Sequence, residues 1–284
     1  MARTKAISLL QAVGENVDLA EIYGLVIEGV RKETLAGALK SGLYTGNPIV
    51  GSVEFKRFVN AVSQNYGTAR LAGKGAAVVA PPVTVNLDQK KEIVEEVAKF
   101  DLDTFGVGSL MARRAINHID TMASDLDTAF FAAAHTAATK VSGITGENVS
   151  AELETFIQML ETVKNTYVTG VPRHLMAIVG TPAFYGSIRS YLDVLPTGNV
   201  DSAAEEFGLF HGVRVYSSIY LPEETDALLL IRGALAQPVV TYPYTEPEKI
   251  QLSNDFAVQL FYNYGVEALT PDLIFSIAES ELGS

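Results

Sequence analysis

The amino-acid sequence predicts an α+β protein built around one very long helix. Residues 109–142 contain neither glycine nor proline, and their apolar side chains recur at alternating steps of four and three, the spacing of one helix face. This face comprises Ala112, Ile116, Ile119, Ala123, Leu126, Phe130, Ala133 and Ala137. Elsewhere, helical and strand-like segments follow one another without regular alternation, which favours α+β over a doubly wound sheet. At about 1.5 Å per residue, the helix would span roughly 50 Å and serve as a spine.

The composition of the chain excludes several classes of protein. A hydrophobic content of 48% among 284 residues excludes a disordered protein, and 19% charged residues is low enough to suggest a large subunit interface. The chain has no cysteine, which excludes disulfides and thiolate metal sites and is typical of a reducing compartment. We also expect no secretory signal and no membrane span, because polar residues interrupt every apolar stretch.

The first part of the chain is predicted to be an arm followed by an extended loop. Residues 1–45 contain helical portions, in which Leu19, Ile22, Tyr23, Val26 and Ile27 share one face. Residues 46–82 form two extended segments, and we expect a mobile tip where they meet. Gly67, Gly73 and Gly75 lie near that tip.

A strand and the start of the spine follow the loop. Val83, Val85 and Leu87 alternate with polar residues and predict a strand. Residues 90–99 fit either a helix or a continued strand. Asp103 or Thr104 is the predicted N-cap of the long helix.

A second α+β region begins after Gly143 and Gly146. Leu153, Phe156, Ile157, Leu160 and Val163 predict an amphipathic helix, and 175–179 a buried strand. Thr181 and Pro182 are suited to the cap and first turn of another helix. Further strands are predicted at 213–220, 227–231, 239–242 and 256–264.

Charge is distributed unevenly along the chain. Residues 46–82 carry a net charge of +3, whereas residues 104–284 carry 9 basic and 21 acidic side chains. A basic loop on an acidic body could lie on the body of a neighbour, although a solvated imbalance without consequence is the alternative. The candidate contacts between subunits are therefore the basic residues of the loop, Lys56, Arg57, Arg70 and Lys74. We expect charge reversal at Arg57 and Arg70 to weaken assembly while each subunit stays folded.

We find no catalytic, cofactor-binding or metal-binding pattern in the sequence. A phosphate-binding loop is missing, and the four histidines lack the spacing of metal ligands. His118 is predicted to make a surface contact. The string Asp-Leu-Asp-Thr occurs at 101–104 and 125–128, where we predict structural roles, the first at a helix start. The late aromatic residues Phe256, Phe261, Tyr262 and Tyr264 are predicted to pack in a core or interface.

Four segments carry a resemblance to a known family. They are "VTVNLDQKKEIVEEVAKFDLDTFG" at 83–106, "SLMARRAINHIDTMASDLDTAFFAAA" shortly after it, "FGLFHGVRVYSSIYLP" and "FAVQLFYNYGVEALTPDLIFSI". In this order, the parts resemble the HK97-fold major capsid proteins of tailed bacteriophages over almost the whole chain. The resemblance implies a shell subunit and not an enzyme, with no cofactor.

The resemblance also implies a division of the chain and a set of partners. It places an N-terminal arm at 1–45, the extended loop at 46–82, a peripheral domain at 83–146 and 256–284, and an axial domain at 147–255. Such subunits would form pentamers and hexamers in an icosahedral head, assembled in the host cytoplasm and ending as the virion capsid. The head would enclose double-stranded DNA without sequence-specific binding and without a membrane. Scaffold and portal proteins are implied partners, and the scaffold would be separate or removed because no long scaffolding segment precedes the arm.

Two alternatives stay open at the level of sequence. One is an encapsulin-type shell, which encloses protein cargo. The other is a soluble oligomeric α+β enzyme that uses acidic side chains with a divalent cation. A loop that folds against its own body would favour the enzyme, and a loop that projects away would favour a shell.

Overall fold

The computed structural model describes residues 19–44, 47–67, 75, 77–141, 149–194, 209–244 and 248–278. In chain order, the helices are α1 (helical over 19–33), α2 (Leu35–Leu39), α3 (Lys99–Phe105), α4 (Val107–Ala137), α5 (Val149–Glu161) and α6 (Pro182–Val194). The first seven strands are β1 (Ser52–Lys56), β2 (Pro82–Asn86), β3 (Gln89–Val97), β4 (Thr139–Val141), β5 (Met176–Gly180), β6 (Leu209–Phe210) and β7 (Val213–Ser217). The remaining strands are β8 (Thr225–Ile231), β9 (Leu235–Ala236), β10 (Val239–Tyr242), β11 (Glu248–Lys249), β12 (Phe256–Tyr264), β13 (Glu267–Ala268) and β14 (Ile274–Ala278). The predicted α+β class is confirmed.

Two larger sheets organise the described part of the chain. One has six strands in the order β4-β14-β8-β5-β7-β6, in which β4 with β14 and β5 with β7 run parallel. The other is centred on β12, which pairs along its full length with β3 and, on its opposite edge, with β10 and β11. Two antiparallel pairs, β1 with β2 and β9 with β13, complete the strands.

The spine helix, α4, is shifted relative to its predicted bounds. It begins at Val107, directly after Gly106, whose φ of 72° is a conformation that favours glycine. Asp103 and Thr104 lie inside α3, so the prediction that one of them caps the spine is wrong. The spine ends at Ala137 and not at residue 142, because Ala138 is extended and the next residues join the six-stranded sheet as β4.

The buried face of the spine agrees with the prediction only in its C-terminal half. Leu126 and Phe130 are buried as expected, but Ala112 and Ile116 are exposed. In the N-terminal half, the buried side chains are instead Met111, Ala115, His118 and Met122. The apolar ones among these pack against α1 and β12 in one core, whereas Phe130, Phe131 and Ala134 pack against α2 and the six-stranded sheet in another. The spine therefore joins two cores.

The other face of the six-stranded sheet is covered by α5 and α6. Leu153, Ile157 and Leu160 from α5 and Ile188 from α6 are buried there against β5. Thr181 Oγ1 accepts a hydrogen bond from the Phe184 N–H at 3.3 Å, so the predicted cap of α6 is confirmed.

Several sequence predictions for the strands can be compared directly with the structure. The strands predicted at 239–242 and 256–264 are confirmed, and the ambiguous stretch at 90–99 is a strand for most of its length. The strand predicted at 213–220 ends at Ser217. The glycine-rich loop tip at 68–74 lies outside the described residues. No helix in the described ranges is long and apolar enough to cross a membrane.

The sheets cross the boundaries that the sequence suggested for the two domains. β10 and β11 fall in the predicted axial range, yet they pair with β12. β14 falls in the predicted peripheral range, yet it pairs with β8 in the six-stranded sheet. Late strands of the chain thus tie the two sheets together.

Candidate assembly surface

The extended loop begins as a short ribbon of two strands. β1 and β2 pair antiparallel over five residues each, and the N–H of Leu87 donates to the carbonyl of Gly51 at 2.8 Å. Val53, Phe55 and Val85 form a small core with Ala236 of β9, which attaches the base of the ribbon to the body.

Arg57 fixes the next part of the loop to the same chain. Its guanidinium donates two hydrogen bonds to the carboxylate of Asp272, at 2.6 Å and 2.8 Å, a bidentate geometry. The same group lies 4.1 Å from the centre of the Tyr167 ring, a cation–π contact. Arg57 therefore has partners in its own subunit, which differs from the expectation that its partner lies on a neighbour.

The turn that carries Tyr167 completes this anchor. Asn165 donates a short hydrogen bond to Asp272, and the carbonyl of Thr166 accepts the N–H of Asn60 at 3.0 Å. Burial raises the pKa of Asp272, but hydrogen bonds from Arg57 and its positive charge outweigh that effect. The pKa of Asp272 therefore lies below its ordinary value, so the carboxylate stays ionised beside Arg57.

Beyond this anchor the loop presents apolar side chains to solvent. Val62 is 84% exposed and Val78 is 82% exposed, and Phe58, Tyr66 and Val79 are also exposed. Several large apolar side chains exposed within one segment are typical of a protein–protein interface. The charges of this loop do not mark the apolar surface. The apolar residues among its small polar ones were the signal that could have revealed this surface.

Of the four basic candidates of the loop, two lie among the described residues. Arg57 is bound within the chain, and Lys56 is exposed at the end of β1. Arg70 and Lys74 lie outside the described residues.

A second polar cluster joins the spine to the sheet of β12. His118 is buried, so the prediction that it makes a surface contact is wrong. Its Nδ1 lies 2.7 Å from the Tyr244 hydroxyl, and its Nε2 lies 3.2 Å from a carboxylate oxygen of Glu95. Arg114 donates hydrogen bonds to Glu95. These bonds from Arg114 are the main cause that holds the pKa of Glu95 below its ordinary value. This cluster fixes β3 and the residues after β10 to the spine.

The predicted structural role of the second Asp-Leu-Asp-Thr string is confirmed. Asp125 accepts a hydrogen bond from the Tyr262 hydroxyl at 2.5 Å, and Asp127 binds the first backbone N–H groups of α2. Of the late aromatic residues, Tyr262 and Tyr264 are buried in the core between α1, the spine and β12, as predicted, whereas Phe256 and Phe261 are half-buried. Across the described residues, we find no cluster of three or more histidine, aspartate or glutamate side chains placed to hold a metal ion.

Comparison with known proteins identifies the architecture. No protein-family model and no curated protein matches the sequence. Solved structures do match: the capsid of the cyanophage P-SCSP1u has a TM-score of 0.64 at 14% identity, over 86% of this chain and 88% of that chain. The chain has an HK97-like fold.

Other structures with this HK97-like fold come from different sources. A virus-like particle from Pyrococcus furiosus matches with a TM-score of 0.58 at 13% identity, over 91% of this chain and 98% of that chain. The capsid of a native GTA particle matches with a TM-score of 0.58 at 12% identity, over 84% of this chain and 88% of that chain. Because each match extends over more than four fifths of both chains, the HK97-like fold accounts for most of the described architecture.

Proposed function

We propose that this protein is a major capsid protein that self-assembles into an icosahedral head enclosing double-stranded DNA. The observation that carries the proposal is the likeness of fold to a cyanophage capsid subunit over most of both chains. The fold has a long spine between two sheets and leaves residues 61–66 and 77–79 of the loop exposed, an arrangement suited to contacts between subunits. The role is structural rather than catalytic.

Within this proposal, each part of the chain has a role in the shell. Residues 1–45 are the arm, 46–82 the loop, 83–146 with 256–284 the peripheral domain, and 147–255 the axial domain. The loop reaches a neighbour, with Lys56, Arg70 and Lys74 as contacts to its acidic body. Scaffold and portal proteins assist assembly in the host cytoplasm.

The course of the loop supports a shell over a compact enzyme. Its base is docked on its own subunit through Arg57, but residues 61–66 and 77–79 are exposed. An enzyme loop that closes over its own body would bury such apolar residues. Arms exchanged between subunits would instead bury them on assembly.

Electron microscopy of the full chain, expressed alone and with a candidate scaffold protein, tests the proposal. We expect closed shells or regular pentamers and hexamers. Shells purified from infected or producing cells should contain nuclease-protected double-stranded DNA. Protein cargo instead of DNA would indicate an encapsulin-type shell, and a small oligomer in every preparation would contradict a shell altogether.

A further inference from the structure

A cavity of about 400 Å³ lies between α1, α2, the spine and the start of β10. Apolar side chains form much of its wall, including Ile27, Val30, Leu126 and Val239. Both charged side chains among the described residues that line it, Arg31 and Lys40, are cationic. The cavity is formed within one subunit, so binding in it can be measured whether or not the protein assembles into a shell.

The positive charge in this cavity is only partly compensated. Lys40 Nζ donates to the carbonyl oxygen of Gln237 at 3.2 Å, and an ammonium group has three N–H donors. Burial, and then the charge of Arg31, lower the pKa of Lys40, while Asp127 acts in the opposite direction. The two oxygens of Asp127, however, accept the N–H groups of Leu35 and Ala36. An added anion would therefore offset both the cost of desolvating Lys40 and its repulsion from Arg31.

The walls of the cavity decide which anion fits. A nucleic-acid backbone keeps its phosphates hydrated and is bound by rows of exposed cations, whereas in this concave cavity two cationic side chains lie among apolar and uncharged polar ones. A carboxylate next to an apolar side chain satisfies both features, since one group meets the cations and the other meets the wall. An acidic segment of polypeptide carries this combination in adjacent residues.

We propose that this cavity binds an acidic peptide segment of a second polypeptide. One carboxylate lies against Lys40 and Arg31, and a neighbouring apolar side chain lies against Ile27 and Val239. The segment would thereby link α1, α2 and the spine.

Isothermal titration calorimetry on the full chain tests this with a capped peptide of alternating aspartate and leucine. The matched probes are a serine–leucine peptide, an aspartate–serine peptide and a lysine–leucine peptide. We expect the aspartate–leucine peptide to bind most tightly. Lys40→Met and Arg31→Met should each weaken it about tenfold or more, whereas Lys32→Met, on the exposed side of α1, should not.

A second pair of variants tests the cavity without changing charge. A Cβ at Gly42, which lines the cavity, would meet no atom within 4 Å, and the same is true of Gly24 on α1 outside it. Because Gly42 lines the cavity, Gly42→Phe should obstruct part of it and weaken peptide binding, and Gly24→Phe should leave binding unchanged. Equal binding of the serine–leucine peptide, or equal losses in the test and control variants, would overturn the proposal. The proposal would also be overturned if the peptide did not bind, while a 12-base-pair DNA duplex bound the parent chain and not the Gly42→Phe variant.

Discussion

Asp127 stabilises a helix that lies far from it in the chain. Its carboxylate oxygens accept hydrogen bonds from the N–H groups of Leu35 and Ala36 at 3.0 Å and 2.9 Å, across 92 and 91 residues. These N–H groups begin α2, and Thr34 before it makes no side-chain cap of its own. Burial raises the pKa of Asp127, while these two hydrogen bonds act against the increase. The spine thus supplies the cap that the local sequence of the arm lacks.

Arg57→Met should loosen the part of the loop that follows β1 from its own subunit. The substitution removes two hydrogen bonds to Asp272 and the contact with the Tyr167 ring, at a site where both charged groups are mostly buried. We expect the free energy of unfolding of the unassembled subunit to fall by about 1–3 kcal/mol. Urea unfolding followed by tyrosine fluorescence measures this change.

Lys56→Met is the matched control for Arg57, because Lys56 is adjacent and exposed. We expect its effect on unfolding to be within about 0.5 kcal/mol. If both variants unfolded like the parent chain, the bidentate pair would contribute nothing to docking of the loop.

Glu154 should make the subunit sensitive to acid. Hydrogen bonds from Arg173, and then from His211, lower the pKa of Glu154 from 4.5 to about 2. Because the folded-state pKa is depressed, the stabilisation is complete above about 4.5 and is lost as pH falls toward 2. The urea midpoint should therefore fall over this range, and less steeply in Glu154→Gln. Glu223→Gln, at an exposed carboxylate on a turn, should keep the parent slope; identical slopes in all three proteins would refute the assignment.

At the scale of elements, the spine carries two possible apolar stripes in its N-terminal half. Met122 is 1% exposed in the structure, whereas Ile116, from the stripe that the sequence favoured, is 69% exposed. We expect Met122→Ala to cost about 2–5 kcal/mol because it leaves a cavity between α1 and β12. Ile116→Ala should cost less than about 0.5 kcal/mol. Urea unfolding of the unassembled variants measures both costs. If Ile116→Ala cost more than Met122→Ala, the buried stripe would be the one that the sequence predicted.

The sequence could predict the positions of helices and strands better than the contacts between them. The spacing of β12 and of α6 follows local rules of alternation and capping, so both were predicted close to their observed positions. His118 is polar and therefore looked exposed, but in the fold its Nδ1 has a hydrogen-bond partner in the Tyr244 hydroxyl and its Nε2 lies 3.2 Å from the Glu95 carboxylate. β4 begins inside the predicted spine because β14, more than a hundred residues later, offers an edge for pairing. The charges of the loop likewise could not reveal that Arg57 meets Asp272.

At the scale of the whole molecule, the proposed assembly surface and the buried cores are made of different residues. The spine, the two sheets and the Arg57 anchor are buried or paired within one chain. The described residues 58–66 and 77–79, here called the outer loop, contribute little to these cores, since Phe58, Val62, Tyr66, Val78 and Val79 face solvent in the single subunit. We therefore expect a change in the outer loop to alter association without altering the fold.

Val62→Asp and Val78→Asp should block assembly while the subunit stays as stable as the parent chain. Each substitution places a carboxylate on the exposed apolar part of the loop, where a neighbour would otherwise bury a valine and would have to desolvate the charge. Sedimentation velocity and electron microscopy measure assembly, and urea unfolding measures stability. Leu252→Asp changes a fully exposed apolar residue outside the loop and should assemble normally. Normal shells from both loop variants would show that this surface lies outside the contacts between subunits, and a loss of stability would show that the loop packs on its own body.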